Sequence, residues 1–397
     1  MDGVMINDTS SPTSGYYPEN NSTSRDDFSR AGYTNVAIIL GVIGLFGFLN
    51  NLLVIMAWVK NKSLRTPVNM FLINLCIGDF TVSVFGTPFA FAANVAGKWL
   101  YGEVGCSWYA FINTAAGTSA IITLTAISLE RYYVVVHPLQ AHKIQTVRFS
   151  TLGVILIWLV TLCIALPPVF GWGHYGPEGP GTCCSVNWES EEIVDVTYII
   201  FIFTTVLLIP LTVIIYCYVS ICYAVYKSHR MFTSHSNNRV RLEMKIVAMT
   251  VLLVACFLIC WSPYAILSLY VAFGNADKIT PTVAFVPSIF AKTSTMYNPV
   301  IYFAMNKQFR EALCKMICYR RVTIDIMEDD LTRCSSHRAS SVNSPAVIAP
   351  PTFLLNDSEV MGDFCAVAPK PMTPPMFRKL SQGYPNTLNP EQLETWN

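Results

Sequence analysis

Lys292 sits where a lysine is hardest to keep. It lies in Phe290-Ala291-Lys292-Thr293-Ser294, near the middle of an apolar stretch from Thr280 to Met305. At ~1.5 Å of rise per residue in a helix, the ammonium is ~18 Å from either end of that stretch. Its four-carbon stem cannot reach water over such a distance. A buried lysine of this kind has two uses. It can be a structural cation paired with a carboxylate. Alternatively it can be a covalent attachment point, because desolvation favours the free amine, a nucleophile toward an aldehyde.

Further polar residues sit at the ends and in the middle of other apolar stretches. Glu130-Arg131-Tyr132 closes one, and Glu243 opens another. Arg131 can pair with Glu130 along its own helix or with Glu243 across a bundle. Two competing partners for one guanidinium make a bistable latch, although an ion pair at a helix end is also what a solvated terminus carries. Asp79 and Asn51 lie within two further stretches, and Asn298-Pro299-Val300-Ile301-Tyr302 ends the last one. An intramembrane Asp without partners is very costly, so Asp79, Asn51 and Asn298 are expected to share waters or a cation in one polar cluster. In Cys260-Trp261-Ser262-Pro263-Tyr264, Trp261 and Tyr264 are three apart and share a helix face. They could wall a pocket or simply pack.

These residues need a scaffold, and hydropathy supplies one. Of 397 residues, 53% are hydrophobic and 13% charged, about half the charge of a soluble domain. Seven apolar stretches stand out: Val36–Val59, Asn69–Asn94, Cys106–Val136, Thr151–Phe170, Val196–Tyr226, Glu243–Phe273 and Thr280–Met305. Each reaches the ~20 residues that a membrane crossing requires. The expected fold is an all-α membrane protein: a seven-transmembrane helix bundle over 36–305, after an N-terminal tail over 1–35. Residues 306–318 form a short amphipathic helix, with Phe309, Leu313 and Met316 opposite Lys307, Arg310 and Lys315, suited to the membrane surface. Cys314 and Cys318 beside it are palmitoylation candidates. Residues 319–397, rich in Ser, Pro and Asp, are expected to be a disordered cytoplasmic tail. Pro88, Pro167-Pro168, Pro210, Pro263 and Pro299 fall inside the stretches, as kinks or as hinges of a two-state bundle.

Cations set the orientation. Lys60, Lys62 and Arg65, then Arg131, Lys143 and Arg148, then Lys227, Arg230, Arg239, Arg241 and Lys245, then Lys307, Arg310 and Lys315 all fall on one side of seven crossings. That side is cytoplasmic and the N-terminus lies outside. Met1 to Arg30 shows no signal-peptide pattern, so the first apolar segment is expected to stay as an anchor. Asn7, Asn20 and Asn21 head acceptor triplets for glycosylation in the outside tail. The net charge of +1 gives no reason to expect a nucleic-acid partner, and the thirteen cysteines show no metal-ligand spacing, so no metal site is expected.

Taken together, Asn51, Leu75 to Asp79, Glu130-Arg131-Tyr132, Trp158, Pro210 with Tyr218, Cys260 to Tyr264 and Asn298 to Tyr302 resemble the rhodopsin-like G-protein-coupled receptors. Lys292 in its context narrows the resemblance to the animal opsins, over about Val36 to Cys318. Ala291 to Ser294 and Asn306-Lys307-Gln308-Phe309-Arg310 look like the ciliary branch. Asn50 to Val54 and Val186-Asn187-Trp188 look nearest the encephalopsin and teleost-multiple-tissue group.

The resemblance implies a cofactor, retinal, held on Lys292 as a covalent Schiff base, 11-cis in the dark and all-trans after light. It implies Tyr109, Trp261 and Tyr264 in the pocket, and Glu130, Arg131, Tyr132, Tyr218, Glu243, Asn298, Pro299 and Tyr302 as an activation switch. The implied partners are membrane lipid, a heterotrimeric G protein of the inhibitory/transducin class, and arrestin and a receptor kinase through tail serines such as Ser335, Ser336, Ser340, Ser341 and Ser344. The implied location is the plasma membrane or a photoreceptor cilium.

A protonated Schiff base is a buried cation and needs an anion to stay charged. Vertebrate visual opsins place a Glu three residues after the cysteine of the third segment; here Tyr109 stands three after Cys106. The other family position, in the second extracellular loop, is Glu178, which becomes the expected counterion of a bistable pigment. A disulfide from Cys106 to that loop is implied too, with Cys184 ahead of Cys183 as partner. The main alternative is a retinal photoisomerase using the same pocket; the intact inner-face motifs favour a receptor, not an enzyme. An amine receptor would carry an acid near Tyr109, and a microbial-type pump lacks these motifs.

Overall fold

The computed structural model describes residues 28–231, 238–274 and 279–316. The first crossing is one helix, α1 (Arg30–Lys60). Its exposed Ile38, Val42, Leu45 and Leu49 recur at helical spacing, and its buried Leu40, Gly47, Asn51 and Val54 lie on the opposite side. A helix whose exposed face is as apolar as its buried one is suited to lipid. A short 3-10 turn, Lys62–Leu64, leads to the second crossing.

The second crossing is interrupted, as α2 (Pro67–Phe85) and α3 (Thr87–Ala96) meet at Gly86. Pro88 has no N–H to continue the ladder, and a side chain on Gly86 would lie 2.9 Å from the Val82 carbonyl. The third crossing is α4 (Gly102–Val136), followed by a short loop helix, α5 (Pro138–Ile144). The fourth is α6 (Val147–Ala165). It ends short of the expected Phe170, because Pro167-Pro168 turn the chain into 3-10 geometry over Pro167–Phe170.

The next loop is not helical. Strands β1 (Tyr175–Glu178) and β2 (Cys183–Val186) form an antiparallel hairpin with Glu178 opposite Cys183. Gly179 and Gly181, at φ +60° and +78°, make its turn. The fifth crossing is α7 (Ile193–Ile202), a π turn (Phe203–Leu208), then α8 (Ile209–Met231). The π turn ends just before Pro210, whose missing N–H frees a carbonyl one turn back. The sixth is α9 (Asn238–Phe273), with Pro263 inside; it begins five residues before Glu243.

Six of these stretches are long and apolar enough to cross a membrane. The seventh crossing, read from hydropathy as one segment, is two helices of 12 residues, α10 (Pro281–Lys292) and α11 (Ser294–Met305). Neither alone reaches ~20 residues. They meet at Thr293, whose hydroxyl donates to the Phe290 carbonyl at 2.6 Å, a local bond that competes with the helical ladder. Lys292 therefore stands at a joint.

Residues 307–316 form α12. Phe309 and Leu313 are buried in the core at the inner end of the bundle, with Met316 against it. The apolar face thus packs on protein as well as facing the membrane surface. Cys314 is exposed. Cys318, the tail serines and Asn7, Asn20 and Asn21 lie outside the described residues.

Cys106 near the start of α4 is bonded to Cys184 in β2. Successive strand residues face opposite ways, so Cys184 faces α4 while Cys183, buried with a free thiol, faces the bundle interior. The bond closes a span of 78 residues, and its loss is expected to cost about 2–4 kcal/mol. Cys184→Ser should therefore lower the apoprotein's thermal midpoint by several degrees. Cys183→Ser should do so much less, and equal losses in the two variants would contradict this pairing.

Candidate functional site: an apolar cavity beneath the hairpin

α4, the π turn, α9, α10 and α11 enclose a cavity of about 480 Å³, roofed by the hairpin. The size suits a small organic ligand. Val206, Leu207, Phe257, Trp261 and Ala265 give it apolar walls, and Lys292 and Glu178 are its charged lining residues besides Asp79 at the inner end.

Lys292 is the last residue of α10. Its Nζ lies 5.5 Å from the centroid of the Tyr109 ring. A cation over an aromatic face at this range gains roughly 0.5–2 kcal/mol. Among the described residues no carboxylate lies within 4 Å of that nitrogen. Tyr109 is 1% exposed, and its hydroxyl has no hydrogen-bond partner among the described residues. It packs edge-on against Trp99, 5.4 Å away, and presents its ring face to the amine.

Glu178 ends β1 and borders the cavity from above. Burial pushes its carboxyl above the usual carboxylate range; the charge of Lys292 pulls it back down, with help from the hydroxyls of Tyr264 and Ser185. The acid and the amine therefore feel each other across the cavity without forming a direct salt bridge. The buried Cys183 thiol is 3.9 Å from the Glu178 Oε2.

Trp261 and Tyr264 do share a face, with ring planes perpendicular and centroids 6.1 Å apart. Trp261 Nε1 donates to Ser294 Oγ at 3.2 Å, which ties α9 to α11 just past the Thr293 joint. Two neighbours escaped the sequence reading. Trp188 donates from Nε1 to the Tyr264 hydroxyl at 3.1 Å, and Gly117 on α4 lets Trp261 come close, since a Cβ there would lie 2.8 Å from the indole. A glycine in an apolar helix is the one signal that could have marked this approach.

Below the cavity, Asn298 Nδ2 donates to Asp79 Oδ2 at 2.8 Å. Asn51 does not complete that pair directly. Its Nδ2 donates to the Thr295 and Gly47 carbonyls, both at 2.8 Å, stitching α1 to α11. Pro299 and Tyr302 are buried on α11, and the Tyr302 ring stacks on Phe309 of α12 at 6.1 Å.

At the inner mouth Arg131 is 1% exposed. It is held by Glu130 through Nε and Nη2, and by Glu243 of α9 through Nη1 at 2.9 Å. The two acids expected to alternate hold it together in this state. The Glu243 contact ties α4 to α9. Tyr218 approaches through Ser128 Oγ at 3.4 Å. Tyr132 does not join; its hydroxyl meets His137 Nε2 at 3.2 Å.

This geometry has known relatives. The family described as 7 transmembrane receptor (rhodopsin family) matches residues 50–302. Opsin-3 of Mus musculus is 37% identical over 300 residues, 74% of this chain and 73% of that protein. The crystal structure of squid rhodopsin matches with a TM-score of 0.69 at 32% identity, covering 77% of this chain and 91% of that one. The chain belongs to the animal opsins.

The opsin also resembles a protein of Mizuhopecten yessoensis named "Rhodopsin, GQ-coupled", at 35% identity over 327 residues, 78% of this chain and 66% of that protein. It is a multi-pass light-sensing receptor for a heterotrimeric G protein, from a family of receptors and not enzymes, whose chromophore is retinal. The cavity fits such a group: apolar walls for a polyene, an amine on the wall for an aldehyde, and an acid in the roof.

Proposed function

We propose that the opsin holds retinal as a Schiff base on Lys292, with Glu178 as counterion, and signals to a G protein of the inhibitory/transducin class. One observation carries this reading: Lys292 borders the cavity and has no carboxylate partner within 4 Å among the described residues. The competing use, a structural lysine in an ion pair, lacks its anion.

Retinal, when bound, supplies the absorption of light and a change of shape from the 11-cis to the all-trans form. The chain's residues do the rest. Lys292 anchors the group at the α10–α11 joint. Trp261, bonded to Ser294 across that joint, is placed to carry a push on the cavity wall into α9 and α11. The inner end of α9 is restrained by Glu243 on Arg131, so movement of α9 has to break that contact and open the cytoplasmic face. The Arg131 network with Glu130 and Glu243, which signalling uses and a photoisomerase would not need, supports the receptor reading over the enzyme alternative.

In this reading the N-terminus is outside and the C-terminus cytoplasmic, in the plasma membrane or a photoreceptor cilium. Arrestin and a receptor kinase engage the tail. Asn306-Lys307-Gln308, resembling the ciliary opsins, supports the inhibitory/transducin class, and Asn50 to Val54 with Val186 to Trp188 support a place among bistable non-visual opsins. Similarity to the Mizuhopecten yessoensis protein named "Rhodopsin, GQ-coupled" favours a second reading, coupling to Gq. Cells expressing the chain and supplied with 11-cis-retinal decide between them. Light is expected to lower cAMP. A calcium rise with no fall in cAMP would establish the second reading, and no response of either kind would remove both.

A further inference from the structure

Outside the cavity, three metal-ligating side chains converge at the outer end of α7. The ligand atoms of His174, Glu192 and Asp195 all lie within 4.8 Å of one another. His174 immediately precedes β1; Glu192 and Asp195 are the N-cap and first-turn residues of α7. No reading of retinal binding or of G-protein coupling uses them. We propose that they form a site for a divalent transition metal of the zinc class, bridging the hairpin to the fifth crossing.

The chemistry of the donors selects the ion. One imidazole nitrogen and two carboxylate oxygens, with a fourth position open to water, are a zinc donor set. The imidazole makes a hard, all-oxygen cation such as calcium a poor match.

The positions are also unusual for a plain ion pair. Asp195 is 2% exposed, and among the described residues its carboxylate has one hydrogen-bond partner, His174 Nδ1 at 2.8 Å. A histidine opposes that charge only when protonated, whereas a bound dication opposes it in full. Glu192 stands at the N-cap without using its side chain to cap the helix, and its carboxylate makes no hydrogen bond among the described residues. It is free to turn inward.

An ion ~2.1 Å from each donor needs donor atoms ~3.4 Å apart. The His174–Asp195 contact must widen by about half an ångström, and the farther atoms must close. Both His174 and Glu192 are exposed, so their side chains can make that adjustment. The positive end of the α7 dipole opposes a cation, but it amounts to about half a charge, against two carboxylates here and Glu189 and Glu191 just before them in the chain. On binding, the imidazole ligates through Nδ1 and keeps its proton on Nε2. The ion would clamp the base of the strand that ends in Glu178.

The test is a titration of the purified full-length protein with zinc chloride, read by competition with a zinc-sensitive dye and by the thermal midpoint. Wild type is expected to bind zinc and to melt higher with it, while calcium at the same concentration gives no rise. His174→Ala should weaken zinc binding by about tenfold or more, the range seen even for outer-shell changes, and should lose the zinc-induced rise. Glu192→Gln alters only an exposed side chain and should do the same, which keeps the test valid if the histidine variant folds poorly. Zinc affinity unchanged in Glu192→Gln, or a wild-type midpoint that zinc does not raise, would overturn the proposal.

Discussion

Lys292→Ala is expected to fold and to show no pigment band at all when supplied with 11-cis-retinal. The substitution removes one contact with the Tyr109 ring, worth roughly 0.5–2 kcal/mol, so the bundle should survive it. What disappears is the amine on the cavity wall. With no other lysine among the described residues that border the cavity, no second anchor is at hand, and the loss should be complete. Absorption spectra of wild type and variant, purified in parallel with matched thermal midpoints, check this. A normal covalent band in Lys292→Ala would end the proposed anchoring.

The next largest effect is expected at Glu178. Replacing it by Gln keeps the shape and removes the charge. The Schiff-base cation would then be unopposed in an apolar cavity, and its proton would be released more readily. The band of Glu178→Gln should therefore move toward the ultraviolet at neutral pH. A visible wild-type band that stays put in Glu178→Gln would assign the counterion to another group.

The sign of the pH dependence follows from the shift. Burial raises the pKa of Glu178, so its proton binds at a higher pH than on a solvated carboxylate. On acidification the wild-type spectrum should change above the ordinary carboxylate range, and Glu178→Gln should lack that transition. An acid in the roof also leaves the counterion in place after light, so the photoproduct should keep its chromophore and revert under a second wavelength. Release of free retinal within minutes of illumination would contradict that part alone.

Much of this was legible in the sequence because hydropathy and depth are one-dimensional quantities. The seven apolar stretches correspond to the seven crossings of the family, and counting residues put Lys292 midway along the last of them. What was not legible depends on bonds between neighbours. The joint beside Lys292 comes from the Thr293 hydroxyl bonding back to Phe290, which does not alter hydropathy. The choice between Cys184 and Cys183 is settled by strand alternation, and the strand itself sits in a Gly- and Pro-rich loop that reads as irregular. The simultaneous grip of Glu130 and Glu243 on Arg131 needed the relative height of α4 and α9. His174 and Asp195, 21 residues apart, are brought together only by the hairpin between them.

The most direct test of the central claim is to locate the chromophore. Wild-type protein loaded with 11-cis-retinal in the dark would be treated with borohydride, which fixes an imine irreversibly, then digested and mapped by mass. The expected result is one retinyl adduct, on the peptide that contains Lys292. An adduct confined to other lysines, or none on a protein that shows a pigment band, would contradict it.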